Sequence, residues 1–162
     1  MKKYKSLIII CLIILVAFTL DIVTKTIANN TLELLDKNQV INNFFYFTLC
    51  YNTGGAWSIF SDNVPVLIIV SLLALGLVIY TMIKSSSNFY NYSCAVFIGG
   101  LIGNLFDRIV YGKVIDFLDF MIFGYDFPIF NIADCFICIG VGLMLIAIIK
   151  EEKDNGKISV NN

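Results

Sequence analysis

The sequence has no histidine, two prolines and one tryptophan, and only 14% of its 162 residues are charged. Each shortage closes off a class of protein. A zinc site draws on about four nitrogen or sulfur ligands, and without histidine the five cysteines would have to supply them alone. They are scattered, with Cys11 and Cys94 in apolar runs, Cys50 in a strand-like segment, and Cys135 and Cys138 in CFIC with no second pair. They read as small hydrophobes in apolar segments, so neither a disulfide framework nor a metal site is expected. A formal net charge of −1 leaves no basic surface for nucleic acid. What is abundant is apolar: 59% of the chain is hydrophobic, against about 45–50% in ordinary soluble domains.

Four apolar stretches stand out, at 7–23, 64–83, 92–111 and 127–149. A helix crossing the hydrocarbon core needs about 20 residues, with a range of roughly 17–25, and all four qualify. The first follows MKKYK but carries no small-residue cleavage pattern, and DIVTK continues directly from it, so it reads as an uncleaved span. The expected fold is a membrane all-α protein, a bundle of four transmembrane helices forming a single integral membrane domain over 1–162. With four spans, both termini share a side. Lys2, Lys3, Lys5, Lys84, Lys150, Lys153 and Lys157 fall on that side, and Lys25, Lys37, Arg108 and Lys113 on the other. The positive-inside rule therefore places both termini, and the tail 150–162, in the cytoplasm.

Between spans 1 and 2, NFFYFTLCYN (43–52) is rich in aromatic and β-branched residues and ends in the turn signal TGG. A small extracytoplasmic β-sheet or loop element is expected there. The second outer segment, 112–126, carries Asp116, Asp119 and Asp126 among aromatics. The segment 84–91 reads as a linker, and no internal repeat is evident.

This topology gathers the polar residues at one depth. Asp21 and Lys25 lie near the outer end of span 1, Asn104, Asp107 and Arg108 near that of span 3, and Asn131 and Asp134 near the start of span 4. Spacings of three and four put each set on one helical face. Ionisable groups within spans are costly and normally face a partner or a cavity. For Asp21, Asn104, Asp107 and Arg108, a purely structural clasp between helices is the competing reading. Asp134 has no Lys or Arg at an adjacent helical position, and Asp116 lies in an outer segment rather than on a span. If they meet at a partly dry site, repulsion and burial prevent both from ionising readily, and they titrate as a coupled pair. Aspartic peptidase chemistry uses such a pair, one carboxylate taking a proton from water and the other giving one to the scissile carbonyl. Gly99, Gly100 and Gly103 in span 3 suit close helix approach, and TGGAW (53–57) supplies flexible backbone.

DIVTK (21–25), YNTGGAWS (51–58), GGLIGNLFDR (99–108), VIDF (114–117) and FNIAD (130–134) occur in that order. Together they closely resemble the lipoprotein signal peptidases, the type II signal peptidases of bacteria, over roughly 7–149. The resemblance implies a cofactor-free, metal-free aspartic peptidase of the cytoplasmic membrane, with its site near the outer face. Its substrate would be a diacylglyceryl-modified prolipoprotein held beside membrane lipid, cut before the lipidated cysteine, and the enzyme is expected to work as a monomer. By motif, the catalytic pair falls on Asp116 and Asp134. Support positions fall on Asp21, Lys25, Asn52, Gly54, Asn104, Arg108, Asn131 and Ala133. Asp107 is expected to anchor the outer end of span 3, and Asp119 to be a bystander. Gly55 stands where the family usually has alanine, and GGLIGN where GGALGN is commoner, both changes keeping small or apolar character. The rival readings are a small four-span carrier or proton-coupled transporter, with acids spread through the membrane depth or with inverted repeats, and a non-enzymatic scaffold.

Overall fold

In a computed structural model, residues 2–55 and 62–160 are described. Ala56, Trp57 and Ser58 of the YNTGGAWS motif therefore lie outside the described residues. The elements run α1 (Lys2–Thr31), β1 (Lys37–Ile41), β2 (Phe45–Asn52), α2 (Val64–Lys84), α3 (Asn88–Tyr111), β3 (Val114–Ile122), β4 (Tyr125–Asp126) and α4 (Ile132–Val160). All four helices are long and apolar enough to cross a membrane. On α1 most of the large apolar side chains stay exposed, among them Leu7, Leu12, Leu15 and Val16. Such a surface suits hydrocarbon, since helix packing in lipid relies on small residues and polar contacts rather than on burying leucines. The most heavily buried helix is α3, whose Ala95, Ile98, Gly99, Gly100, Gly103 and Asn104 are all buried. It packs against the other three helices.

The expected sheet is present and larger than its first segment implied. It has four strands in the order β1-β2-β3-β4, all antiparallel, and takes half of them from the second outer segment. VIDFLDFMI did not read as a strand because its first four residues are all buried, which erases the apolar–polar alternation of a one-sided strand. The β3–β4 hairpin turns through Phe123 and Gly124, both at positive φ (51° and 80°), as a two-residue type I′ loop requires.

Helix limits also differ from the apolar stretches. α1 runs past Val23 to Thr31 because nothing in DIVTKTIANNT breaks a helix, so Asp21 and Lys25 stay on one face of it. α4 starts only at Ile132. The preceding residues are extended: Phe130 N–H donates to Leu118 O (3.1 Å) and Leu118 N–H to Phe130 O (2.8 Å). Pro128 disfavours helical backbone before it, and the Phe130 ring stacks on Phe120 with centroids 5.6 Å apart. At the other junction Gly112, φ 67°, caps α3 in the left-handed conformation. That turn suits glycine and sends the chain directly into β3. The sheet, the end of α3 and the start of α4 thus meet at one end of the bundle.

Candidate active site

The end of α4 that faces the sheet is built on a reciprocal cap. Asn131 Oδ1 accepts from Asp134 N–H (3.0 Å), and Asp134 Oδ2 accepts from Asn131 N–H (3.1 Å). This is the logic of a capping box with an acid at its third helical position. Asn131 is therefore a cap outside the helix rather than a residue sharing a helical face with Asp134. Freed from the helix, its amide Nδ2 donates to Asp116 Oδ1 (2.6 Å) and to Asn104 Oδ1 (3.1 Å).

Asp116 comes from β3, opposite Cys50 of β2. Its second oxygen, Oδ2, accepts from Asn52 Nδ2 (2.9 Å) at the end of β2. Asn52 is oriented by Gly54, whose N–H donates to Asn52 Oδ1 (2.8 Å). Its neighbour Tyr51 ties the strand to α1 by donating from its hydroxyl to Asn29 Oδ1 (2.8 Å). Asn104 Nδ2 of α3 donates to Asp134 Oδ1 (2.7 Å). All four carboxylate oxygens of Asp116 and Asp134 thus accept an N–H, and each keeps lone-pair capacity for a further donor. Burial, and then the neighbouring charge of Asp134, push the Asp116 carboxyl up to about 7, against the opposing effect of the Asn52 and Asn131 hydrogen bonds.

Asp116 and Asp134 line one cavity of about 450 Å³ together with Asn52, Asn104 and Arg108. Its remaining wall is mostly apolar and includes Phe127–Phe130, Ile137 and Cys138. Arg108 Nη2 donates to Gly54 O (3.2 Å), while its buried Nε has no hydrogen-bond partner among the described residues. Asp21, Lys25 and Asp107 do not line the cavity but form a buried set behind Asn104. Lys25 Nζ lies 2.7 Å from Asp21 Oδ2, 3.0 Å from Asp107 Oδ2 and 2.9 Å from Asn104 Oδ1. The Asp21 contact is an ion pair by distance, since that oxygen has no well-angled hydrogen bond. Asp21 Oδ1 accepts from Ala133 N–H (2.9 Å). All three charged groups are buried, and removing one partner from such a set costs about 3–5 kcal/mol.

Some of this was not in the motifs. Asp107 does anchor α3, but it also accepts from Ile115 N–H (3.2 Å) and so holds the start of β3. Asp119 is buried off the cavity, accepting from Thr48 Oγ1 (2.7 Å) with Lys37 Nζ at 3.6 Å, and braces the sheet. The cavity wall at Phe127–Phe130 belongs to the apolar stretch 127–149 yet precedes α4, and Pro128 is its signal in the sequence. Cys135 and Cys138, read as small hydrophobes, line the cavity.

Comparison with known proteins gives the chain's family. The family model described as signal peptidase (SPase) II matches residues 13–150. A lipoprotein signal peptidase of Staphylococcus carnosus is 37% identical over 155 residues, covering 94% of this chain and 98% of that one. One of Staphylococcus aureus is 41% identical over 133 residues, covering 81% and 82%. A solved bacterial membrane enzyme structure superposes with a TM-score of 0.78 at 36% identity, covering 93% of this chain and 90% of the other. A second, also described as a bacterial membrane enzyme, gives 0.74 at 37% identity, covering 90% and 93%. None of these relatives supports the carrier or transporter alternative. Matched over most of its length to a peptidase family and to lipoprotein signal peptidases, the chain belongs to the signal peptidase II family.

Proposed function

We propose that Asp116 and Asp134 are the catalytic pair of an aspartic endopeptidase that removes the signal peptide from diacylglyceryl-modified prolipoproteins, cutting before the lipidated cysteine. The observation that carries this reading is one cavity holding two carboxylates, each of whose oxygens is aimed by an N–H donor. With its carboxyl pushed up to about 7, Asp116 is the group that holds the shared proton. Asp134 takes a proton from water as the water oxygen attacks the scissile carbonyl carbon, and Asp116 gives its proton to the carbonyl oxygen. The gem-diol then collapses. The C–N bond breaks as the nitrogen takes the proton from Asp134, and one diol hydroxyl returns a proton to Asp116. No cofactor or metal enters these steps.

The remaining lining residues suit the same substrate. Arg108 lines the same cavity and holds the Gly54 carbonyl, and Asn52 and Asn104 hold the two carboxylates. The apolar wall from Phe127 to Phe130 and along Ile137 and Cys138 accepts the acyl chains beside membrane lipid. The lysine distribution favours cytoplasmic termini, with the sheet and cavity at the outer face. One chain carries both carboxylates, so a monomer suffices.

Cleavage by the purified full chain in detergent tests this, with peptide products identified by mass. The expected product begins at the diacylglyceryl cysteine. The same peptide with an unmodified cysteine should be cut at least about 100-fold more slowly, since binding energy from remote groups is used to orient the reacting bond. Equal rates on both peptides would exclude the acyl-chain role of the cavity wall.

A further inference from the structure

We infer that Lys25 is a positioning residue that sets the two aspartates in register from outside the cavity, acting through Asp21, Asp107 and Asn104. This rests on the peptidase reading above. Lys25 is 1% exposed and does not line the cavity, so it does not touch substrate. Each of its acidic partners holds the residue immediately before one aspartate. Asp21 Oδ1 accepts from the N–H of Ala133, next to Asp134, at 2.9 Å. Asp107 Oδ2 accepts from the N–H of Ile115, next to Asp116, at 3.2 Å. The ammonium pairs with both acids, at 2.7 and 3.0 Å. One cation on α1 therefore joins the start of α4 to the start of β3.

Its third contact acts on an amide. An ammonium only donates, so the Asn104 atom 2.9 Å from Lys25 Nζ must be the oxygen. That fixes Asn104 Nδ2 toward Asp134 Oδ1, where it donates at 2.7 Å. The same oxygen also accepts from Asn131 Nδ2, the group that holds Asp116. Every path from Lys25 ends at one of the two carboxylates or at the backbone beside it. A helix clasp would need the ion pairs alone. It would have no use for an asparagine turned toward Asp134, nor for acids placed one residue ahead of each aspartate.

Two variants of the full chain separate positioning from folding. Lys25→Met removes the cation. Lys25→Met/Asp107→Asn removes a cation and an anion together, keeping the net charge of the buried set. Both are assayed in detergent on the diacylglyceryl peptide, with Tm measured on the same samples. The single variant should melt lower, and the double variant should recover most of that loss. Both should turn over about 100-fold more slowly at saturating substrate, the effect of misplacing groups by about 1 Å, with KM within about threefold of wild type. Recovery of kcat together with Tm in the double variant would overturn the inference and leave Lys25 a folding residue. If neither lysine variant folds, Asp21→Ala, which removes the arm to Ala133 together with one ion pair of Lys25 but keeps the lysine and its contacts to Asp107 and Asn104, replaces them. A kcat lowered at least about tenfold at unchanged KM is then expected, and an unchanged kcat overturns the inference. Failure of the wild type to cut the peptide would instead reject the peptidase reading, and this inference with it.

Discussion

Asp134→Asn and Asp116→Asn are each expected to lower kcat/KM by about 10⁴-fold while leaving the bundle folded. The size follows from what each substitution removes. An amide neither takes a proton from water nor gives one to a carbonyl, so each variant loses one half of a concerted transfer. The fold should survive because asparagine keeps the shape and one acceptor. At position 134 one N–H, from Asn104 or from Asn131, loses its acceptor, a cost of about 1 kcal/mol. At position 116 one N–H, from Asn52 or from Asn131, loses its acceptor in the same way, but a second effect offsets that cost. The folded state holds the Asp116 proton up to about 7, whereas an unfolded carboxyl releases it near its ordinary value of 3.8. Between those values the folded state binds more protons, so this group lowers stability as pH rises through the window. Asparagine has no such dependence. At pH 8 Asp116→Asn should therefore melt at or above wild type, and its Tm should vary less between pH 5 and 8. Cleavage by folded Asp134→Asn at a tenth of the wild-type rate or more would refute its assignment.

The second large effect is structural and lies one layer away. A Cβ on Gly100 would run into the carbonyl oxygen of Ala133 and come within 2.9 Å of Phe136 Cβ and 3.1 Å of Ile137 N. Most of these neighbours are backbone of α4 and cannot swing aside, so α3 and α4 must separate. Gly100→Val should cost about 3 kcal/mol by overpacking, read as a lowered Tm. It should also reduce turnover in the molecules that remain folded, because Ala133 precedes Asp134 and its N–H is the one held by Asp21. A variant with wild-type Tm would show that the helices have room there.

The four helices and the depth of the polar residues could be read from the sequence because each rests on local pattern. Long apolar runs have one physical use at this composition, and Asp21 with Lys25, or Asn104 with Arg108, share a face by spacing alone. What could not be read depends on contacts between segments far apart in the chain. β3 was hidden because its first four residues are all buried, so its pattern never alternates. Asn131 looked like part of a span because nothing local distinguishes a cap from a first helical turn when the preceding residues are aromatic. The second partner of Lys25, Asp107, is 82 positions away in sequence, and only packing of α1 on α3 joins them. The motifs identified residues one by one; their arrangement around Lys25 appears only in three dimensions.

The most direct test of the central claim, that Asp116 and Asp134 work as a pair sharing one proton, is the pH dependence of kcat/KM for the wild-type chain on a diacylglyceryl peptide. Above about 7, Asp116 loses its proton, no acid remains, and the rate must fall. An alkaline limb centred at about 7 is predicted, reporting the free enzyme. A profile that climbs through pH 8 to a plateau would contradict the account, because it would mean that the essential group works as a base without a protonated carboxyl beside it.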